Sequence, residues 1–62
     1  MTRDTKAKFM EIYANLPIGA RREIIAVIDE MPISWNAAFF EINKNTELGE
    51  KILNKLSSLG IL

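Results

Sequence analysis

Three lysines in the last third of the chain have the type and spacing of a small binding site. Lys44 precedes the last predicted helix, and Lys51 and Lys55 lie one turn apart within it. A basic edge of this kind could contact the phosphates of a nucleic acid. Glu47 and Glu50 are interspersed with the lysines, however, and a mixed, solvated helix face is the commoner cause of such a pattern. Nucleic-acid binding is therefore the second of two functional hypotheses.

Residues suited to catalysis or metal binding are scarce. The chain has no histidine and no cysteine, which removes the usual acid–base group at neutral pH, a thiolate nucleophile and the common zinc ligands. Asp29 and Glu30 are adjacent carboxylates, but a calcium loop needs further oxygen ligands at fixed offsets. Ser34, Ser57 and Ser58 have no evident base. We therefore expect a protein that is not an enzyme and that uses no cofactor or metal.

The length and composition limit how this chain can be stable. Its 62 residues form one domain, and a domain of that size buries only about 60% of the surface that its unfolded chain exposes. Disulfides are excluded because cysteine is absent, so close packing and self-association are the remaining routes to stability. The hydrophobic fraction of 48% permits either one.

The charges are balanced, with 8 basic and 8 acidic residues and a net charge of zero. This balance argues against a dedicated nucleic-acid binder and against a polybasic membrane anchor. No apolar run approaches the roughly 18 residues of a transmembrane helix, and the polar first residues do not introduce the apolar segment of a signal peptide. We expect a soluble, cytoplasmic protein with no membrane partner.

Three segments have the spacing of amphipathic helices. Residues 3–14, 34–42 and 46–59 place apolar side chains at intervals of three and four, which predicts one helix in each segment. Ser34 and Thr46 stand at the start of the second and third segments, where a hydroxyl side chain can accept a bond from a free backbone N–H group. These two residues are the predicted N-caps.

Two glycines of the last predicted helix have structural explanations. Leu56, Gly60 and Ile61 have the spacing of a Schellman ending, in which Gly60 adopts a left-handed conformation. Gly49 lies in the first turn, where glycine costs about 1 kcal/mol relative to alanine. Its presence predicts that another backbone, or a large ring such as that of Trp35, approaches closely there.

The apolar stretch at residues 22–29 determines the fold, and two interpretations compete for it. Its β-branched residues favour a strand, with Asp29 and Glu30 as a turn and Pro32 on the edge of a returning strand. The same residues also fit a helical stripe, and the turn lacks the glycine that tight hairpins favour. The β-branched residues are Ile24, Ile25, Val27 and Ile28.

The strand interpretation predicts a small α+β domain. It is mainly helical, with a turn started by Pro17 and a short two-stranded β-hairpin at about residues 23–33 packed by helices. The alternative is an all-α four-helix domain in which residues 17–30 form the second helix. In both cases residues 1–62 make a single domain.

The central stretch also provides the candidate interface. In a regular strand, Ile25 and Val27 face the side opposite the core. Phe40 lies off the apolar stripe of its helix, beside Asn36 and Ala37. We expect a homo-oligomer, most simply a two-fold dimer, or binding of a protein partner through Ile25, Val27 and Phe40.

Overall fold

Three α-helices, a short 3₁₀ helix and a two-stranded antiparallel sheet make up residues 3–62, the part of the chain that this computed structural model describes. The elements are α1 (Arg3–Asn15), the 3₁₀ helix (Ile18–Arg22), β1 (Ile24–Ile28), β2 (Met31–Ser34), α2 (Trp35–Asn43) and α3 (Glu47–Ser58). The predicted α+β fold is confirmed. The four-helix alternative fails because residues 24–28 pair with residues 31–34 instead of continuing a helix.

The ends of the helices follow the capping signals of the sequence. The Ser34 hydroxyl accepts a hydrogen bond of 3.1 Å from the backbone N–H of Ala37 at the start of α2. The Thr46 hydroxyl accepts one of 3.0 Å from the N–H of Gly49 at the start of α3. Both N-cap predictions are confirmed, and each cap contributes about 1 kcal/mol.

The last helix ends in the predicted Schellman motif. Gly60 has a φ angle of 80°, in the left-handed region that glycine adopts without steric cost. The N–H of Ile61 donates to the carbonyl of Leu56 at 3.0 Å, and the N–H of Gly60 donates to that of Ser57 at 3.1 Å. Leu59, the last residue of the predicted helical segment 46–59, is 53% exposed because it lies at the helix end.

Gly49 is the contact point between α2 and α3. A Cβ atom at this position would lie 2.6 Å from the carbonyl oxygen of Glu41 and 3.0 Å from the Cα of Ile42. The close neighbour is therefore a backbone, the first of the two alternatives predicted, and not the ring of Trp35. Only glycine lets the helices approach this closely.

Nine buried apolar residues, counted over residues 4–62, form a core that joins the sheet to the helices. Four of them, Phe9, Ile42, Ile52 and Leu56, are the largest fully buried side chains. Burying each one stabilises the fold by about 1.5–3 kcal/mol relative to exposure. The other five are Ala26, Ile28, Ile33, Ala38 and Leu53.

Stacked aromatic rings pack on one side of the core, and one of these rings contacts an arginine. The ring of Tyr13 stacks on Phe39 at a centroid distance of 4.3 Å and on Phe9 at 6.2 Å. The guanidinium of Arg21 lies 4.2 Å from the centre of the Tyr13 ring and donates a 3.0 Å bond to the Tyr13 carbonyl. Arg21 therefore holds the 3₁₀ helix to α1.

Candidate functional site

The turn between β1 and β2 has an unusual backbone for its sequence. Asp29 and Glu30 have φ angles of 49° and 70°, and the flanking residues Ile28 and Met31 are paired. Positive φ at both central positions is the pattern of a type I′ turn, which normally contains asparagine and glycine. Each non-glycine residue in this region costs on the order of 1 kcal/mol. The turn residues therefore disfavour the backbone conformation of the hairpin. Packing of its strands must offset the free-energy cost of the two positive φ angles.

The register shows which backbone groups of the hairpin are free. Since Ile28 and Met31 close the turn as a hydrogen-bonded pair, the next pair, Val27 and Pro32, is non-hydrogen-bonded. Pro32 thus loses no ladder bond by lacking an N–H group, as expected for a proline at a sheet edge. The N–H and C=O of Val27 point away from β2, towards the open edge of β1.

A β-bulge in β1 determines which of its side chains point away from the core. The register shifts between Ile24 and Ala26, so that Ile24 lies opposite Ser34. Ser34 and Pro32 are two residues apart on β2, so their side chains lie on the same face of the sheet. Since Ile24 pairs with Ser34 and Val27 pairs with Pro32, the side chains of Ile24 and Val27 also lie on that face. Strict alternation, which would expose Ile25 and bury Ile24, is therefore wrong at this end of β1. Ile25 is half-buried against the core.

Three apolar residues form the side of the hairpin that faces away from the helices. Ile24 is 55% exposed and Val27 is 57% exposed, and Pro32 between them is also exposed. Ala26, Ile28 and Ile33 point to the opposite side, into the core. We call Ile24, Val27 and Pro32 the outer hairpin face. Exposed β-branched side chains at the centre of a sheet face are typical of a surface that another protein covers.

Phe40, the third candidate interface residue, lies elsewhere. It is on α2 and is 55% exposed, and the ammonium group of Lys44 lies 4.8 Å from its ring centre. The hairpin and α2 therefore each expose apolar side chains on a different part of the surface. Val27 and Phe40 belong to these different parts.

A shallow, widely open groove of about 480 Å³ lies between β1 and α3. Lys51 crosses its end, with its ammonium group 3.0 Å from a carboxylate oxygen of Asp29. That hydrogen bond and the charge of Asp29 raise the pKa of Lys51 above its ordinary value of 10.5. The described residues that line the groove are Val27, Ile28, Asp29, Lys51, Asn54, Lys55 and Ser58.

The three candidate lysines do not form one edge. Lys51 and Lys55 line the groove together, whereas Lys44 lies over Phe40 at the corner between α2 and α3. The positive charge of Lys51 is compensated by Asp29. Sequence spacing could not indicate the contact of Lys51 with Asp29, which lies 22 residues away along the chain.

Residues 3–62 contain neither a candidate metal site nor a helix that could span a membrane. No cluster of three or more carboxylate, histidine or cysteine side chains in this part of the chain could hold a metal ion. None of the described helices is long and apolar enough to cross a membrane.

Comparison with known proteins gives no relative on which to base a function. No protein-family model matches the chain, and no curated protein or solved structure matches it significantly. The function has to be inferred from the residues and their geometry.

Proposed function

We propose that this protein is a non-enzymatic interaction module that self-associates as a two-fold dimer through the outer hairpin face. The observation that carries the proposal is the exposure of Ile24 and Val27, which lie in the most apolar stretch of the sequence and yet point away from the core. Water contact with such side chains is unfavourable, and burial against a second copy would remove it.

The charges around the hairpin support a second copy as the partner. Arg22, at the open end, and Glu30, at the turn, are both exposed. A two-fold axis perpendicular to the strands would set Arg22 of one copy beside Glu30 of the other, twice in each dimer. Such pairs at the rim of an interface add orientation more than affinity.

The area of the outer hairpin face limits how tightly two copies of the chain can associate. A standard interface takes about 800 Å² from each partner, which is about a fifth of the 4145 Å² surface described here. The outer hairpin face alone is smaller than that. We therefore expect a dimer of modest affinity that dissociates at low protein concentration.

Sedimentation velocity from low micromolar to near-millimolar concentration tests this proposal. The wild type should shift from monomer to dimer mass as concentration rises, and Val27→Lys should remain monomeric with an unchanged circular dichroism spectrum. Phe40→Lys is the matched control, because Phe40 is as exposed as Val27 but lies on α2. A wild type that stays monomeric throughout, or dimerisation lost only in Phe40→Lys, would contradict the proposed interface.

Accessory nucleic-acid binding remains the alternative function. Lys51 and Lys55 share a groove, which supports it, while the ion pair of Lys51 with Asp29 and the separate position of Lys44 weaken it. Binding of an oligonucleotide that falls steeply with salt concentration would favour this alternative. Association that persists in salt would favour the apolar dimer.

A further inference from the structure

We propose that the groove between β1 and α3 binds a short acidic peptide, which adds as a third strand to the open edge of β1. This site shares only Val27 with the outer hairpin face, and the proposal does not depend on self-association. The described lining of the groove comes from β1, the turn and α3, so the groove lies on the side of β1 away from β2. The unpaired N–H and C=O of Val27 face the same side, according to the register.

The dimensions of the groove suit an extended segment. β1 has five residues, which span about 17 Å at about 3.3 Å per residue. An added strand would lie about 4.8 Å from β1, above the face of α3 that borders the groove. The residues on that face are spaced by three and four positions, as one helix face requires. They are Lys51, Asn54, Lys55 and Ser58.

The charge of the groove determines which peptide fits. Asp29 is paired with Lys51, while Lys55 is exposed and has no ion-pair partner among residues 4–62. The groove therefore carries an excess positive charge at Lys55, next to the amide of Asn54 and the hydroxyl of Ser58. A carboxylate side chain of the added strand would meet the ammonium group of Lys55 and the amide of Asn54, since the Ser58 hydroxyl already donates to the carbonyl of Lys55 at 2.8 Å. A lysine of the added strand would instead meet a like charge.

The same charge disfavours a second copy in this groove. Two β1 strands paired edge to edge around a two-fold axis would bring each α3 beside its copy. Lys55 and Lys51 of one helix would then face the lysines of the other. Strand addition by an acidic segment avoids that repulsion and still satisfies the free groups of Val27, as in other cases of recognition at a sheet edge.

Three synthetic peptides test the mode of binding by fluorescence anisotropy. The first is a labelled peptide of about six residues that alternates valine and glutamate. The second replaces each glutamate with lysine, and the third keeps the glutamates but carries N-methyl groups on alternate residues, along the edge that pairs with β1. We expect the first to bind and the other two to bind at least about tenfold more weakly, because one loses the charge match and the other the ladder bonds.

Matched variants of the protein test the location. Lys55→Glu should weaken binding of the valine–glutamate peptide by about tenfold, with Lys55→Gln intermediate. Lys44→Glu makes the same charge change at the corner between α2 and α3 and should leave binding unchanged. Ile24→Lys, which alters only the outer hairpin face, should also bind the peptide normally, so failure of the dimer and failure of the groove can be distinguished.

Four results would overturn the proposal. They are absence of binding by the valine–glutamate peptide, equal binding by the lysine peptide, equal binding by the N-methylated peptide, and no difference between Lys55→Glu and Lys44→Glu. If Lys55→Glu instead raised the sedimenting mass, the groove would belong to a second copy of the chain. If a single-stranded oligonucleotide bound and Lys55→Glu abolished that binding, the groove would belong to a nucleic acid.

Discussion

The helical pair α2–α3 and the hairpin β1–β2 are both built from two elements joined by a short connection, but they differ in how well the sequence suits the structure. In the helical pair, Ser34 and Thr46 cap the helices, and Gly60 occupies a left-handed position. Gly49 allows a close backbone contact. The two caps and Gly60 agree with the fold, and the poor helix propensity of Gly49 is offset by the close packing that it allows.

The structure of the hairpin departs from the preferences of its local sequence in two ways. Asp29 and Glu30 occupy left-handed positions that glycine or asparagine would fill at lower cost. Ile24 and Val27 are apolar and exposed. Such departures are expected where a surface serves binding more than stability. This difference agrees with the proposal that the hairpin, besides contributing Ala26, Ile28 and Ile33 to the core, presents an interaction surface.

Gly49→Ala should have the largest effect on the helical pair. The new methyl group would lie 2.6 Å from a backbone oxygen of Glu41, which forces the helices apart. We expect the free energy of unfolding to fall by about 2 kcal/mol, because the clash exceeds the gain in helix propensity. Chemical denaturation measures this change in the free energy of unfolding. Gly19→Ala, where a Cβ meets nothing within 4 Å, is the control, and equal losses in both variants would refute the close contact.

Gly60→Ala should cost about 1 kcal/mol, since alanine resists the positive φ that ends α3. In a domain of this size the melting temperature should fall by about 4–8 °C. Gly60→Asn should lose less, because asparagine tolerates the left-handed region better. Equal melting temperatures for the wild type and Gly60→Ala would show that the Schellman ending contributes nothing.

Glu30→Gly tests the strain in the hairpin turn and should raise the free energy of unfolding, whereas the two preceding variants lower it. Glycine relieves the positive φ of 70°, and we expect a gain of about 0.5 kcal/mol after its extra unfolded-state entropy is counted. Glu23→Gly is the matched control, since Glu23 has an ordinary φ of −71° and should lose stability. If Glu30→Gly were as destabilising as Glu23→Gly, the turn would not be strained.

Asp29→Asn should have the smallest net effect on stability, because it removes the ion pair with Lys51 but places asparagine at a left-handed position that it occupies at lower cost. Removing the carboxylate should lower the pKa of Lys51 towards its ordinary value, because the hydrogen bond and charge of Asp29 raise it. The pair's contribution to stability is complete below the ordinary lysine pKa of about 10.4 and is lost as pH rises through the raised value. Carbon NMR of the Lys51 side chain between neutral and strongly basic pH measures the shift, and an unchanged pKa would contradict the pair.

The sequence allowed the helical part of the fold to be predicted because its signals are local. Ser34, Thr46 and Gly60 specify helix ends through bonds to residues three to five positions away, so spacing alone reveals them. The hairpin was harder because its turn residues oppose the backbone they adopt. Burial of Ala26 and Ile28 against distant helices outweighs that local preference.

The candidate sites could be predicted only in part. Val27 was expected at the surface and is exposed there, but the bulge that exchanges Ile24 for Ile25 depends on pairing with Ser34 and Ile33. Neither composition nor alternation specifies such an insertion. The groove was also missed, because it depends on the packing of α3 beside β1, which joins parts of the chain far apart in sequence.

The most direct test of the central claim is an isotope-filtered NOE experiment on a mixture of labelled and unlabelled protein at high concentration. It detects only contacts between different copies of the chain. We predict NOEs between copies that involve the methyl groups of Ile24 and Val27, with none from the ring of Phe40. Contacts between copies that involve Phe40 and not the outer hairpin face, or a complete absence of them, would contradict the claim that this face joins two copies.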